Sequence, residues 1–191
     1  MLSREHGMGV GLLATLAMGW IALSQPGLSK LTAPQIEQWG MVLQGDDAQL
    51  PLRKLRAAAQ QGDIHAMRTL GSVLIGNADY ALATEGLHFA EDAAKRGDAK
   101  AQFLLAKAYF DGVATLTKLP DMGRARTWFE MAAAGKHAAA MYYLGLIYQF
   151  GYGVERDPLL ANQWLEKAAN MGNPDARIAL GTNSIADDNP R

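Results

Sequence analysis

The sequence predicts an all-α protein: an α/α-hairpin superhelical solenoid behind an N-terminal hydrophobic targeting or anchor helix. Three observations carry that prediction. A hexapeptide with Ala first and Leu fifth recurs as Ala66–Gly71, Ala101–Ala106 and Ala140–Gly145, with a further copy from Ala176 through Leu180 and Gly181. The Leu of each copy stands 35, 39 and 36 residues from the next, a period that suits one helical hairpin per repeat. An apolar run from Val10 to Leu23 precedes them all.

Composition fits this class. A chain of 191 residues is one domain, or one domain with a short appendage. Hydrophobic residues make up 49%, enough for a sizeable core, and the net charge is −1, so there is no basic footprint for nucleic acid. The absence of cysteine excludes disulfides, thiolate catalysis, Cys-based zinc sites and a lipidated Cys. Abundant Ala and Gly with few β-branched residues favour closely packed helices over sheet.

Taken in order, residues 1–24 form the first segment. Arg4 precedes the apolar run, and Pro26-Gly27 ends it. The run has signal-peptide length, and Ala22-Leu23-Ser24 places small residues at the two positions a signal peptidase reads. As a retained signal anchor it is short against the ~20 residues a bilayer needs. A buried N-terminal core helix is the plainer alternative. Arg4 ahead of the run favours an N-terminus in the cytoplasm and a body carried across the membrane. Residues 25–33 read as a linker, 34–183 as the repeat solenoid and 184–191 as a flexible tail.

Within the solenoid, a degenerate first copy puts Trp39-Gly40 at the Leu-Gly place, 31 residues before Leu70. The second half of each unit repeats too. An aromatic (Phe89, Trp128, Trp164) lies twelve residues before the next Ala, and it is followed by Ala93-Ala94, Ala132-Ala133 and Ala168-Ala169. Small residues let helix backbones approach, and the aromatics are expected to fill the core between hairpins. Gly62, Gly97 and Gly172 sit where a left-handed residue stops the second helix, while Lys136 takes that place in the third unit. Phe150-Gly151-Tyr152-Gly153-Val154 breaks the first helix of the fourth unit, and Asp157-Pro158 starts its second as N-cap and first helical residue. Thr32-Ala33-Pro34-Gln35 fits a capping box. Nine helices are expected, at about 34–44, 48–60, 64–76, 79–96, 99–111, 121–134, 138–150, 158–170 and 174–182.

The fourth unit carries Ala140, Leu144, Gly145, Tyr148, Gly151, Gly153, Val154, Asp157, Ala161, Trp164, Ala168, Ala169 and Gly172. This pattern resembles the Sel1-like repeat, a relative of the tetratricopeptide repeat. The third unit matches with an insertion, and the earlier ones are progressively degenerate. The resemblance implies a right-handed superhelix whose concave surface contacts a protein or peptide. It brings no catalytic residues.

No chemistry stands out elsewhere. His6, His65, His88 and His137 have no ligand-spaced partners, so no metal or other cofactor is expected. His65 and His137 read as equivalent turn residues before a helix. Gly7-Met8-Gly9-Val10-Gly11 follows no strand and is no phosphate cradle. Asp46-Asp47 reads as a helix-start pair.

The tetratricopeptide pattern implies inward positions two before the repeat Leu and two, five and six after it. These fall on Arg68, Ser72 and Ile75; on Phe103, Lys107, Phe110 and Asp111; and on Tyr142, Leu146, Gln149 and Phe150. Partner contact is expected at Arg68, Ser72, Phe103, Lys107, Tyr142, Leu146, Gln149 and Phe150, since aromatic and Arg side chains make interface anchors. Packing of Phe103, Phe110 and Phe150 between hairpins is the competing expectation.

The function expected is a non-enzymatic, protein-binding scaffold of the cell envelope, periplasmic or anchored in the inner membrane, with an inhibitor or immunity factor as a special case. Two alternatives stand beside it. One is a structural subunit of a membrane complex, its N-terminal helix packed through Gly7, Gly9, Gly11, Ala14, Ala17 and Gly19. The other is a binder of small ligands or cell-wall fragments with weak enzymatic activity, a reading the missing cysteines count against.

Overall fold

The computed structural model describes residues 32–34, 36, 49–114 and 119–187. The expectations for residues 1–24, for the linker up to residue 31 and for most of the helix at 34–44 lie outside them. Two pieces of that first helix are described. The Ile36 amide donates to the Thr32 carbonyl at 3.0 Å, and Ile36 is wholly buried in a cluster with Leu55, Leu70 and Ala94. This bond puts Thr32 at the start of a helix; the capping-box partner Gln35 lies outside the described residues.

Eight α-helices follow among the described residues: α1 (Gln49–Gln60), α2 (Ile64–Leu74), α3 (Tyr80–Lys95), α4 (Ala99–Phe110), α5 (Met122–Ala134), α6 (Ala138–Phe150), α7 (Pro158–Asn170) and α8 (Pro174–Asp187). Each packs on the next in the chain, and α2 also meets α4. Among the described residues the complete units are the hairpins α2/α3, α4/α5 and α6/α7, the second, third and fourth units of the sequence; α1 stands where the second helix of the first unit was expected, and α8 packs on the far end. The expected boundaries hold to within two residues, except that α8 continues to Asp187, beyond its expected end at 182 and into the segment read as tail. Among the described residues, no helix is long and apolar enough to cross a membrane.

One local device turns each unit into the next. At the end of α3, Gly97 N–H bonds the Ala94 carbonyl and Asp98 N–H bonds the Ala93 carbonyl. The same pair of bonds closes α1 through Gly62 and Asp63, α5 through Lys136 and His137, and α7 through Gly172 and Asn173. This is the Schellman closure, and it requires a left-handed residue at its first position. The second residue then caps the following helix. The side chains of Asp63, Asp98 and Asn173 accept from Ala66, Ala101 and Ala176 N–H at 3.0, 2.8 and 2.8 Å. A Gly-Asp pair thus ends one helix and starts another, satisfying amides and carbonyls that would otherwise be orphaned.

The repeat Leu residues Leu70, Leu105 and Leu144 are buried, as are the paired alanines Ala93-Ala94 and Ala132-Ala133. Gly71 permits the close contact of α2 and α3, because a Cβ there would lie 2.8 Å from the Ala90 Cβ. The recurring aromatics behave differently from expectation. Phe89, Trp128 and Trp164 are only half-buried and lean against the core from its edge. The next residue fills the centre: Ala90, Phe129 and Leu165 are wholly buried. Helix geometry accounts for the shift. One step along a helix is roughly 100° of rotation, so the interior takes one of two adjacent side chains while the larger indole covers the margin with its edge wet.

Candidate partner-binding face

The first helices of the hairpins, α2, α4 and α6, carry the positions expected to face a partner, and they divide into two groups. Those two residues before the repeat Leu reach toward the following hairpin. Arg68 Nη1 donates to Asp98 Oδ2 at 2.8 Å, with only 14% and 12% of the two side chains exposed. Asp98 is the N-cap of α4. Phe103 stacks on His137, the N-cap of α6, with ring centroids 4.5 Å apart and planes 18° from parallel. Tyr142 lies near Asp175 at the start of α8. Burial first, then the charges of Asp175 and Tyr143, raise its hydroxyl pKa above the ordinary value. Arg68, Phe103 and Tyr142 thus form an inter-hairpin seam.

Most of the remaining positions on α4 and α6, with Phe103 shared between the two groups, make a surface. Phe103, Lys107 and Phe110 recur at intervals of four and three along one face of α4, and they gather around Tyr143 of α6. Tyr143 stacks on Phe129 at 5.0 Å and meets Phe103 at 5.8 Å and Phe110 at 5.4 Å. Lys107 Nζ lies 5.7 Å from the Tyr143 ring centre and pairs with Asp111 one turn on. Burial pulls the lysine pKa down, but the hydrogen bond to Asp111 and the neighbouring Tyr143 outweigh it and leave it above its usual value. Phe110 also meets Tyr152 at 5.9 Å, and Tyr152 meets Phe150 at 5.6 Å. Phe150 and Tyr152 are 57% and 40% exposed. An aromatic chain therefore runs from the buried Phe129 to open surface across two hairpins.

Leu146 and Gln149 are half-buried beside this patch, and the Gln149 carbonyl accepts from Arg156 Nε at 2.8 Å. Ser72 is exposed on α2, its hydroxyl donating to the Thr69 carbonyl. Ile75 is buried against Ala90 and Ala108. Both expectations for the phenylalanines are thus partly realised: Phe103 and Phe110 pack between hairpins, while Phe150 stays open.

Tyr143, Tyr152, Phe129 and His137 were missed as members of this region. The repeat equivalents of Tyr143 are Thr69 and Leu104, so periodicity gives it no signal. His137 and His65 are not equivalent. His65 is the second residue of α2 and exposed, while His137 is the N-cap of α6. Burial first, then Lys100, lower the His137 pKa against the opposing pull of Asp98. Among the described residues, no three His, Cys, Asp or Glu side chains gather in a way that could hold a metal.

The model of the Sel1 repeat matches residues 99–137 and 138–173, the α4/α5 and α6/α7 hairpins. Solved structures extend the likeness. A Sel1 repeat protein from Oxalobacter formigenes is 32% identical, over 69% of this chain and 97% of that one, with a TM-score of 0.59. A protective antigen of uropathogenic Escherichia coli strains, displaying an SLR fold, is 24% identical over 76% of this chain and 32% of its own, with a TM-score of 0.60. A Sel1 repeat protein from Klebsiella pneumoniae subsp. pneumoniae is 22% identical over 80% of this chain and 76% of its own, with a TM-score of 0.50; it and the antigen speak to fold alone. The Oxalobacter protein, 32% identical and matched over 69% of this chain and 97% of its own, together with the two matched repeats, makes this chain a member of the Sel1 repeat family.

Proposed function

We propose that this chain is a non-catalytic scaffold of the cell envelope that holds one protein partner against the surface of α4 and α6. The observation that carries this reading is the exposure of Phe150 and Tyr152 beside each other. Their rings continue a rigid stack rooted at Phe129. Exposed aromatics with a fixed orientation lose little freedom on binding, and this is what makes them interface anchors. Lys107 and Asp111 already neutralise each other, so recognition rests on apolar area, with Leu146, Gln149 and Ser72 at its margin. Membership of a solenoid repeat family supports protein contact. The apolar run Val10–Leu23 supports an envelope address.

The test is site-specific photo-crosslinking in intact cells from positions 146 and 150, compared with positions 130 and 166 on α5 and α7. One protein captured from the first pair and not from the second is the expected result. Equal capture from both pairs, or none from 146 and 150 in folded chain, overturns the proposal.

A further inference from the structure

The joint between α5 and α6 breaks the rule of the others. Lys136 holds φ +61°, where the equivalent Gly62, Gly97 and Gly172 are glycines. His137 stands where Asp63, Asp98 and Asn173 cap their helices, and its side chain makes no cap hydrogen bond. Its Nδ1 is buried without a hydrogen-bond partner. What holds the ring is the stack on Phe103 of the preceding hairpin.

We propose that His137 makes the joint between the α4/α5 and α6/α7 hairpins a proton-operated latch, closed while the imidazole is neutral and stacked on Phe103, and loosened when it is protonated. The surroundings disfavour a cation. The first amides of α6 present the positive end of the helix dipole to it. Lys100 of α4 faces it, and Lys136 precedes it in the chain. Phe103 and, behind it, Phe129 of α5 offer rings and no charge. Among the described residues Asp98 is the carboxylate that acts on it, and both its oxygens already accept a hydrogen bond: Oδ1 from Ala101 N–H and Oδ2 from Arg68. Half-buried, with Lys100 nearby, the imidazole is held below its ordinary pKa against the opposing pull of Asp98. The unfolded chain therefore takes the proton first, near pH 6.5. Stability of the joint is full above that pH and falls as pH drops toward the folded-state value, at no more than about tenfold per pH unit for one proton. The latch does not depend on the partner-binding reading; any consequence for that face, through the shared ring of Phe103, does.

The test is hydrogen–deuterium exchange of the full-length chain between pH 7.5 and 5, corrected for intrinsic exchange rates, with His137→Asn and His137→Asp alongside. His65→Gln and His88→Gln remove the other described imidazoles. In the parent, the first hydrogen-bonded amides of α6, from Met141 to Leu144, should lose protection as pH falls, by up to about tenfold per unit, while those of α2 from Met67 to Leu70, behind the Asp63 cap, hold theirs. Both His137 variants should be flat. A flat parent, or variants that lose protection in step with it, overturns the latch. An NMR titration of the parent gives a second reading. The Phe103 ring protons should move with the His137 midpoint, and Phe103 signals indifferent to that midpoint contradict the proposal.

Discussion

Phe129→Ala and Trp128→Ala are adjacent truncations that should differ sharply. Phe129 is wholly buried and touches the rings of Phe103, Phe110 and Tyr143. A buried Phe→Ala change costs about 3–5 kcal/mol, and the loss of three ring contacts argues for the upper part of that range. Trp128 is larger but half-buried, so about half of the same scale applies, roughly 1.5–2.5 kcal/mol. Urea unfolding followed by far-ultraviolet circular dichroism measures both. With a slope of about 2 kcal/mol per molar urea, the midpoint should fall by about 2 M for Phe129→Ala and about 1 M for Trp128→Ala. Since domains hold only about 5–15 kcal/mol in all, Phe129→Leu serves as the milder partner. It borrows the residue found at the matching place in α7, Leu165, and should cost about 1–1.5 kcal/mol. A Trp128→Ala midpoint at or below that of Phe129→Ala would refute the packing described for the third unit.

The remaining predictions concern the joints. Lys136→Gly relieves a left-handed conformation worth about 1–2 kcal/mol and gives back about 0.4–1 through the freer unfolded chain. A net gain of about 0.5–1 kcal/mol should appear as a higher melting temperature. Gly71→Ala should destabilise even though Ala is the better helix former by about 1 kcal/mol, because overpacking against Ala90 costs about 1–3 kcal/mol; a raised melting temperature would show that α2 and α3 separate freely. A double-mutant cycle on Arg68 and Asp98 should return a coupling of about 1–2 kcal/mol, above the roughly 0.2–1 of exposed pairs. Asp98→Ala should be the costlier single change by about 1 kcal/mol, since it also uncaps α4.

Much of the fold was legible because the repeat writes its hydrogen bonds into residue identity. Gly62, Gly97 and Gly172, read as helix stops, each hold a left-handed φ and close their helices as read, whereas the caps supplied by the following Asp63 and Asp98 were passed over in the sequence. Gly151, at φ +71°, and Asp157, bonded to Leu160 N–H at 2.9 Å, did what a glycine break and an Asp-Pro start imply. The core was less legible where repeats disagree in size. Phe129 has Ala90 and Leu165 as counterparts, so a reading that follows recurrent residues passes over it in favour of Trp128. The partner-facing residues were read from helix offsets alone. Offsets name a helix face, but they cannot say how far the next hairpin covers it. Arg68 looked like a donor for a partner, yet a carboxylate 30 residues on takes it up. Tyr143 and Tyr152 carry no periodic signal, and only the packed structure joins them to Phe110.

The most direct measurement of the central claim is the affinity of the crosslinked partner for parent chain and for Phe150→Ser/Tyr152→Ser, by titration calorimetry on material matched for melting temperature. Removing Phe150 and Tyr152, taken together as one hot spot worth about 2 kcal/mol or more, should weaken binding at least roughly thirtyfold, with helix content unchanged. An unchanged dissociation constant in the folded double variant would show that the partner sits elsewhere on the solenoid, and the face of α4 and α6 would lose its assigned role.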